Sequence, residues 1–204
     1  FVDINLLPLV DKLIGSLPTV KAVVLMAGRE HMPASSNIPT LLCYEDLIAA
    51  EDGQYTWPTF DENAAASICY TSGTTGNPKG AVYSHRSTVL HAMAAALPDA
   101  MCLKATETVL PVVPMFHVNA WGIPYAAALV GCKLVMPGHH LDGASLYNLF
   151  EQEQVTLSAG VPTIWLGLLN HVKQNNLKFS SFRSTVIGGA ACPPAMIRAF
   201  ENDY

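Results

Sequence analysis

The sequence predicts an α/β fold, with parallel sheets flanked by helices on both faces. Three observations predict it. From residue 66 onward, short apolar runs alternate with helix-patterned segments, the order that buries a parallel sheet between helices. Half of the 204 residues are hydrophobic and only 13% are charged, enough apolar surface for a sheet covered twice and too much for a disordered chain. Turns rich in Gly and Pro follow the apolar runs, where open α/β sheets carry their binding loops.

Leu6 to Leu17 has helical apolar spacing, and Pro8 is tolerable near a helix start. Lys21 to Met26 reads as a short buried strand. Residues 27–54 are loop-rich, broken by Pro33 and Pro39, with one short helix expected around Tyr44 to Ala49. Trp57 and Pro58 mark a junction. Residues 1–60 are therefore expected to form a partial α/β subdomain with a loop-rich end, and residues 61–204 a second, more regular α/β subdomain.

In that second block, strands are expected at 66–70, 80–84, 108–113, 133–136, 155–159 and 185–187. Helices are expected at 85–97, 123–130 (closed by Gly131), 144–154, 163–174 and 193–200. If all the strands are parallel, the loops after 70, 113, 159 and 187 gather at one sheet edge.

The net charge of −5, without a Lys/Arg cluster, argues against a nucleic-acid surface. The five cysteines are dispersed and include no C-x-x-C pair, the pattern of buried reduced thiols in a cytosolic protein rather than of a metal site. The seven histidines form no H-E-x-x-H pattern. No apolar run reaches the roughly 18 residues of a membrane span, which leaves room only for peripheral membrane contact. The chain starts at Phe1 without a basic leader, so no signal peptide is expected, and it reads as a piece of a longer protein.

The densest chemistry lies in Tyr70-Thr-Ser-Gly-Thr-Thr-Gly-Asn-Pro-Lys-Gly80. Gly73 and Gly76 let backbone N–H groups approach an anion closely. Thr71, Ser72, Thr74 and Thr75 add hydroxyl donors, and Lys79 adds a mobile point charge. Such a loop suits a polyphosphate. It is not a Walker loop: Pro78 precedes Lys79 and Gly80 follows it, so the Gly-x4-Gly-Lys-Ser/Thr spacing fails. That disfavours a phosphatase or GTPase. A second cluster, Pro114-Met-Phe-His-Val-Asn-Ala-Trp121, places His117 straight after a strand. Taken singly, His117 and Trp121 also suit packed core positions.

The loop resembles the phosphate signature of the adenylate-forming superfamily of acyl-CoA synthetases, luciferases and adenylation domains. Residues 114–125 resemble that family's second core motif, Gly160 to Trp165 its acid-pocket wall, and Gly188-Gly-Ala-Ala191 its Gly-Gly-small-small turn. The four segments occur in family order, and the likeness is greatest to medium- and long-chain fatty acyl-CoA synthetases.

The resemblance implies that a fatty acid and ATP form acyl-AMP and pyrophosphate, after which CoA displaces AMP. It implies catalytic roles for Lys79 and His117. It implies nucleotide contacts from Thr71, Ser72, Gly73, Thr74, Thr75, Gly76, Lys79, Gly189 and Ala190. His117, Val118, Trp121, Val161, Pro162, Thr163, Gly188 and Gly189 would border the acyl chain, with Trp121 as a gate. Thr71 would be a Mg²⁺ ligand. A cytoplasmic homodimer is implied for the full-length protein. Another acid, aryl or methylmercaptopropionate, is the alternative substrate. A nucleotide- or acyl-binding module without catalysis is the alternative class. The family's Mg²⁺-binding Glu, ribose-binding Asp and the lysine of its C-terminal lid domain have no match here, so the sequence is expected to hold the central part of the large N-terminal domain.

Overall fold

The structure, a computed structural model, describes residues 1–71 and 76–204. It contains two compact units, Phe1–Thr59 and Phe60–Tyr204.

In the first unit, a 3-10 turn at Ile4–Leu6 runs into helix α1 (Leu7–Leu13) and a second 3-10 turn at Ile14–Ser16. Strand β1 (Val23–Leu25) pairs in parallel with β2 (Leu41–Cys43), and helix α2 spans Tyr44–Ala49. Val2, Leu7, Val23, Leu25 and Ile38 form the core. The connecting loop is pinned by Asp11, which accepts hydrogen bonds from Ser36 Oγ (2.6 Å) and Asn37 N (2.7 Å). Strand β2 is not legible as a pattern. Three residues between Pro39 and a helix start are too short to show alternation, and only the pairing with β1 makes them a strand.

The second unit opens with β3 (Ala65–Thr71) and β4 (Lys79–Ser84), paired antiparallel. This corrects the expectation that every strand is parallel. A parallel return needs a crossover of a dozen residues or more, and only residues 72–78 link these strands. Helix α3 (His85–Ala96) follows, its first turn capped by the Ser84 side chain, which accepts from Ser87 N at 3.1 Å.

The remaining strands form one parallel sheet in the order β6-β5-β7-β8. They are β5 (Thr108–Pro111), β6 (Lys133–Leu134), β7 (Leu157–Gly160) and β8 (Ser184–Ile187). The intervening helices are α4 (Val118–Trp121), α5 (Ile123–Val130), α6 (Gly143–Glu153) and α7 (Pro162–Gln174), with α8 (Pro194–Asn202) last. Gly131 closes α5 at φ 75°, the left-handed stop that glycine adopts without strain.

Both faces of this sheet are covered, as the alternation of helices and strands predicts. Val109, Leu157 and Ala159 pack with Ala92 and Ala95 of α3 and with Ile123 and Ala126 of α5. Leu110, one residue on from Val109, packs on the other face with Leu146, Phe150, Trp165, Leu168 and Val172. Phe150 and Trp165 meet edge-on at 6.4 Å and are essentially fully buried. Each such side chain contributes about 1.5–3 kcal/mol through burial. All five cysteines are free, but only Cys43 and Cys69 are buried. Cys102, Cys132 and Cys192 are half-buried, because they sit in connections at the ends of elements rather than within the sheet.

Candidate functional site

Strands β5, β7 and β8 are parallel, so the segments after Pro111, Gly160 and Ile187 leave the sheet at one edge. Backbone bonds lace this edge together: Val112 N donates to Ala159 O (2.7 Å) and Gly188 N to Gly160 O (3.2 Å).

The segment after β5 holds an unusual backbone. Helix α4 is a single left-handed turn, with φ of 50°, 51°, 50° and 56° at Val118, Asn119, Ala120 and Trp121, followed by Gly122 at 72°. Left-handed geometry costs a non-glycine residue about 1–2 kcal/mol, so the surroundings must hold the turn. Ala120 is fully buried in the α3–α5 core. The Asn119 side chain reaches β3: its Nδ2 donates to Ser67 Oγ (3.0 Å), and its Oδ1 accepts from Cys69 Sγ (3.2 Å).

The turn leaves His117 and Val118 exposed and Trp121 half-buried. The Trp121 ring lies over Gly188, where an added Cβ would approach it to 2.9 Å. Gly189, at φ 79°, sits beside Val161, whose Cγ1 lies 3.1 Å from the position of an added Cβ. Trp121, Gly188, Gly189 and Val161 are thus brought together, and Ala190 follows on the exposed surface. Pro162 and Thr163 are placed differently. They line a groove of about 500 Å³ with Leu166 and Leu169 of α7 and Met196 of α8. Val118 lines a separate cavity of about 180 Å³ with Tyr83, Thr88, His91 and Tyr125.

On the hairpin, Thr71 and Lys79 are direct cross-strand partners. Opposed residues of an antiparallel pair project on the same face about 5 Å apart. A hydroxyl and an ammonium therefore flank the mouth of the loop, both exposed, as is Gly76. Ser72, Gly73, Thr74 and Thr75 lie outside the described residues. Among the described residues no group of three or more His, Cys, Asp or Glu side chains could hold a metal, and no helix is long and apolar enough to cross a membrane.

Sequence reasoning missed Asn119, Ser67, Cys69 and His91. Asn119 carried one readable signal, since Asn tolerates the left-handed region better than its neighbours. Its partners lie fifty or more residues away, and nothing local marks them.

A parallel α/β sheet, a separate antiparallel hairpin, and Trp, Gly-Gly and Val segments converging at the sheet's carboxyl edge define the class: an α/β domain whose loops gather at that edge. The AMP-binding enzyme family matches residues 9–204, and the chain belongs to that family. It is 56% identical over 202 residues to a medium-chain-fatty-acid–CoA ligase of Ectopseudomonas oleovorans, covering 99% of this chain and 37% of the relative. It is 52% identical over 204 residues to a 3-methylmercaptopropionyl-CoA ligase of Ruegeria lacuscaerulensis, covering 100% of this chain and 38% of the relative. The chain thus spans less than two-fifths of either relative. Among solved structures, the anthranilate CoA ligase AuaEII in complex with anthranoyl-AMP superposes with a TM-score of 0.83 over 98% of this chain and 38% of its own, at 21% identity. That likeness establishes the shared fold.

Proposed function

We propose that the chain is part of an ATP-dependent fatty acyl-CoA ligase acting on medium- or long-chain acids. The observation that carries this is the 56% identity to a medium-chain-fatty-acid–CoA ligase across 202 residues. Because the chain spans 37% of that relative, the reaction is assigned to the full-length polypeptide and not to these 204 residues alone.

In the first step a carboxylate oxygen attacks the α-phosphorus of ATP. An acyl O–P bond forms, the bond to the bridging oxygen breaks, and pyrophosphate leaves. In the second step the CoA thiolate attacks the acyl carbon and AMP departs. Catalysis of this kind is mainly positioning and electrostatic stabilisation. Lys79 and the loop N–H groups hold the β- and γ-phosphates, and the Thr71–Lys79 pairing across the hairpin supports that assignment. His117 borders the α-phosphate. Val118, Trp121, Val161 and Gly188 border the acyl chain, and Gly189 and Ala190 offer a flat surface to adenine. Pro162 and Thr163 act at the margin, since the groove they line is separate from Val118's cavity. Mg²⁺, when bound, neutralises phosphate charge. Thr71 supplies one hard oxygen suited to it, and the other donors come from phosphates and from outside the described residues. The proposal includes a cytoplasmic homodimer.

The 52% identity to a 3-methylmercaptopropionyl-CoA ligase favours one second reading, a short thioether acid as substrate. Acid-dependent ATP–pyrophosphate exchange by the full-length polypeptide, across C4 to C18 acids and methylmercaptopropionate, separates the two. Lys79→Ala should slow exchange about 100-fold, the scale of losing one transition-state donor. Exchange with methylmercaptopropionate but no fatty acid would select the second reading. Exchange with no acid would end both.

A further inference from the structure

We propose that Asn119 is a positioning residue: through Ser67 and Cys69 it ties the turn carrying His117, Val118 and Trp121 to the strand that leads into the phosphate loop. The tie itself is a matter of geometry. Its consequence for acid binding rests on the function proposed above.

Ser67 and Cys69 are two residues apart on β3 and so share one face. Ile68 and Tyr70, on the opposite face, are exposed, whereas Cys69 is 6% exposed. The inner face therefore presents a hydroxyl and a thiol to a single amide. Asn119 answers both, accepting from the thiol with Oδ1 and donating to the hydroxyl oxygen with Nδ2. Two bonds fix the plane of the amide as well as its position. Asn119 also sits inside the left-handed run from Val118 to Trp121. Three of those four residues carry apolar side chains that disfavour this geometry, and asparagine is the one that tolerates it.

The two partners are not equally fixed. Strand β3 is paired with β4 through Ser67↔Tyr83 and Cys69↔Ala81. Among the described residues the turn has no sheet partner, and it holds an unfavourable backbone. On release, the turn moves and the strand stays. Loss of Asn119's bonds should therefore disturb the acid side far more than ATP, which meets the turn only at His117 and whose β- and γ-phosphates are held from the hairpin.

The decisive variant is Asn119→Gly in the full-length polypeptide, because glycine keeps the left-handed backbone free of strain and removes only the side chain. The KM for the fatty acid should rise about tenfold, the scale of one or two net hydrogen bonds, with the KM for ATP within about twofold. Cys69→Ser keeps a donor for Oδ1 and should stay near wild type. Cys69→Val removes that donor and should raise the acid KM in the same direction as Asn119→Gly. A second readout needs no activity: iodoacetamide labelling of Cys69 in the native protein, followed by mass spectrometry. Asn119→Gly should speed that labelling about tenfold, because the turn no longer covers the thiol. An unchanged labelling rate overturns the tie whatever the kinetics show. Faster labelling with an unaltered acid KM overturns the positioning role. A wild-type protein silent with every acid would sink the functional reading instead, and labelling would still judge the tie.

Discussion

The Trp121 indole fills the space that a side chain at position 188 would need. A Cβ added to Gly188 would lie 2.9 Å from Cη2 and 3.2 Å from Cζ2 of the ring. This contact joins the turn after β5 to the turn after β8 across the carboxyl edge of the sheet.

Gly188→Ala tests that contact without disturbing backbone preference, since Gly188 does not need a positive φ. The ring has to shift by several tenths of an ångström. In the full-length polypeptide the KM for the acid should rise about tenfold, with the KM for ATP within about twofold. The emission of Trp121 should shift in parallel. Trp121→Phe presents a smaller ring, so the double variant should resemble Trp121→Phe alone rather than the sum of the two changes. An additive double variant would show that the two residues act separately.

Gly122 faces a harder constraint. Its φ is 72°, and an added Cβ would lie 2.4 Å from His91 Nδ1 and 2.6 Å from Cε1. Gly122→Ala therefore meets both a conformational and a steric penalty, together about 2–4 kcal/mol of stability. His91→Ala removes the obstacle but not the backbone penalty. The double variant should recover part of the loss in urea unfolding. Full recovery would mean that the backbone term is negligible, and no recovery would mean that His91 is not the obstacle.

Periodicity reached the helices at 85–97 and 123–130 because each has a local stop signal: the structure ends them at Ala96 and at Val130, before Gly131. The four parallel strands were legible for a similar reason, since apolar runs separated by helices have one economical arrangement. The direction of β4 was not, because it depends on the length of the connection rather than on the strand's own residues. The left-handed turn at 118–121 runs against the preferences of Val, Ala and Trp, and only burial of Ala120 and the distant Ser67 and Cys69 make it tolerable. Trp121 and Gly188 each stood out by residue type. Their contact did not, because it depends on how two loops fall beside one another.

The opposite edge of the sheet carries a polar clamp. Glu107 is 7% exposed, and its Oε2 accepts from Thr156 Oγ1 (2.5 Å) and from Arg183 Nη2 (2.8 Å). The clamp joins residues at the amino ends of β5, β7 and β8. The Arg183 side chain is 60% exposed, so solvent screens part of the attraction. Arg183→Ala should cost about 1–2 kcal/mol, because it leaves a buried carboxylate with one partner fewer. Once Glu107→Gln has neutralised the carboxylate, removing Arg183 should cost less. Both variants lie away from the loop edge and should leave the acid KM unchanged. A shift in acid KM would show that the two edges are coupled.

Asp142 should make the stability of the second unit depend on pH. Its carboxylate caps α6, accepting from Ser145 Oγ (2.7 Å) and from Ser145 N (3.0 Å). These bonds, the side-chain one first, hold its pKa below the ordinary 3.8. The folded value is thus the lower one. The cap's charge-dependent contribution is fully present above the unfolded value and is lost as the pH falls through the folded one. Helix α6 carries Leu146 and Phe150 into the core, so fraying at its start is transmitted to buried contacts. Asp142→Asn keeps a side-chain acceptor for the Ser145 N–H but cannot titrate. At neutral pH the Asn variant should be the less stable, since it lacks the charge-assisted bonds. As the pH falls below the ordinary 3.8 and through the lower folded value, the wild type should lose that advantage, and the urea midpoints of the two proteins should converge. Asp11 is likewise held low, by Ser36 and Asn37, but it is present in both proteins and cancels in the difference. Parallel pH profiles, with a constant gap between the midpoints, would show that Asp142 does not set this dependence.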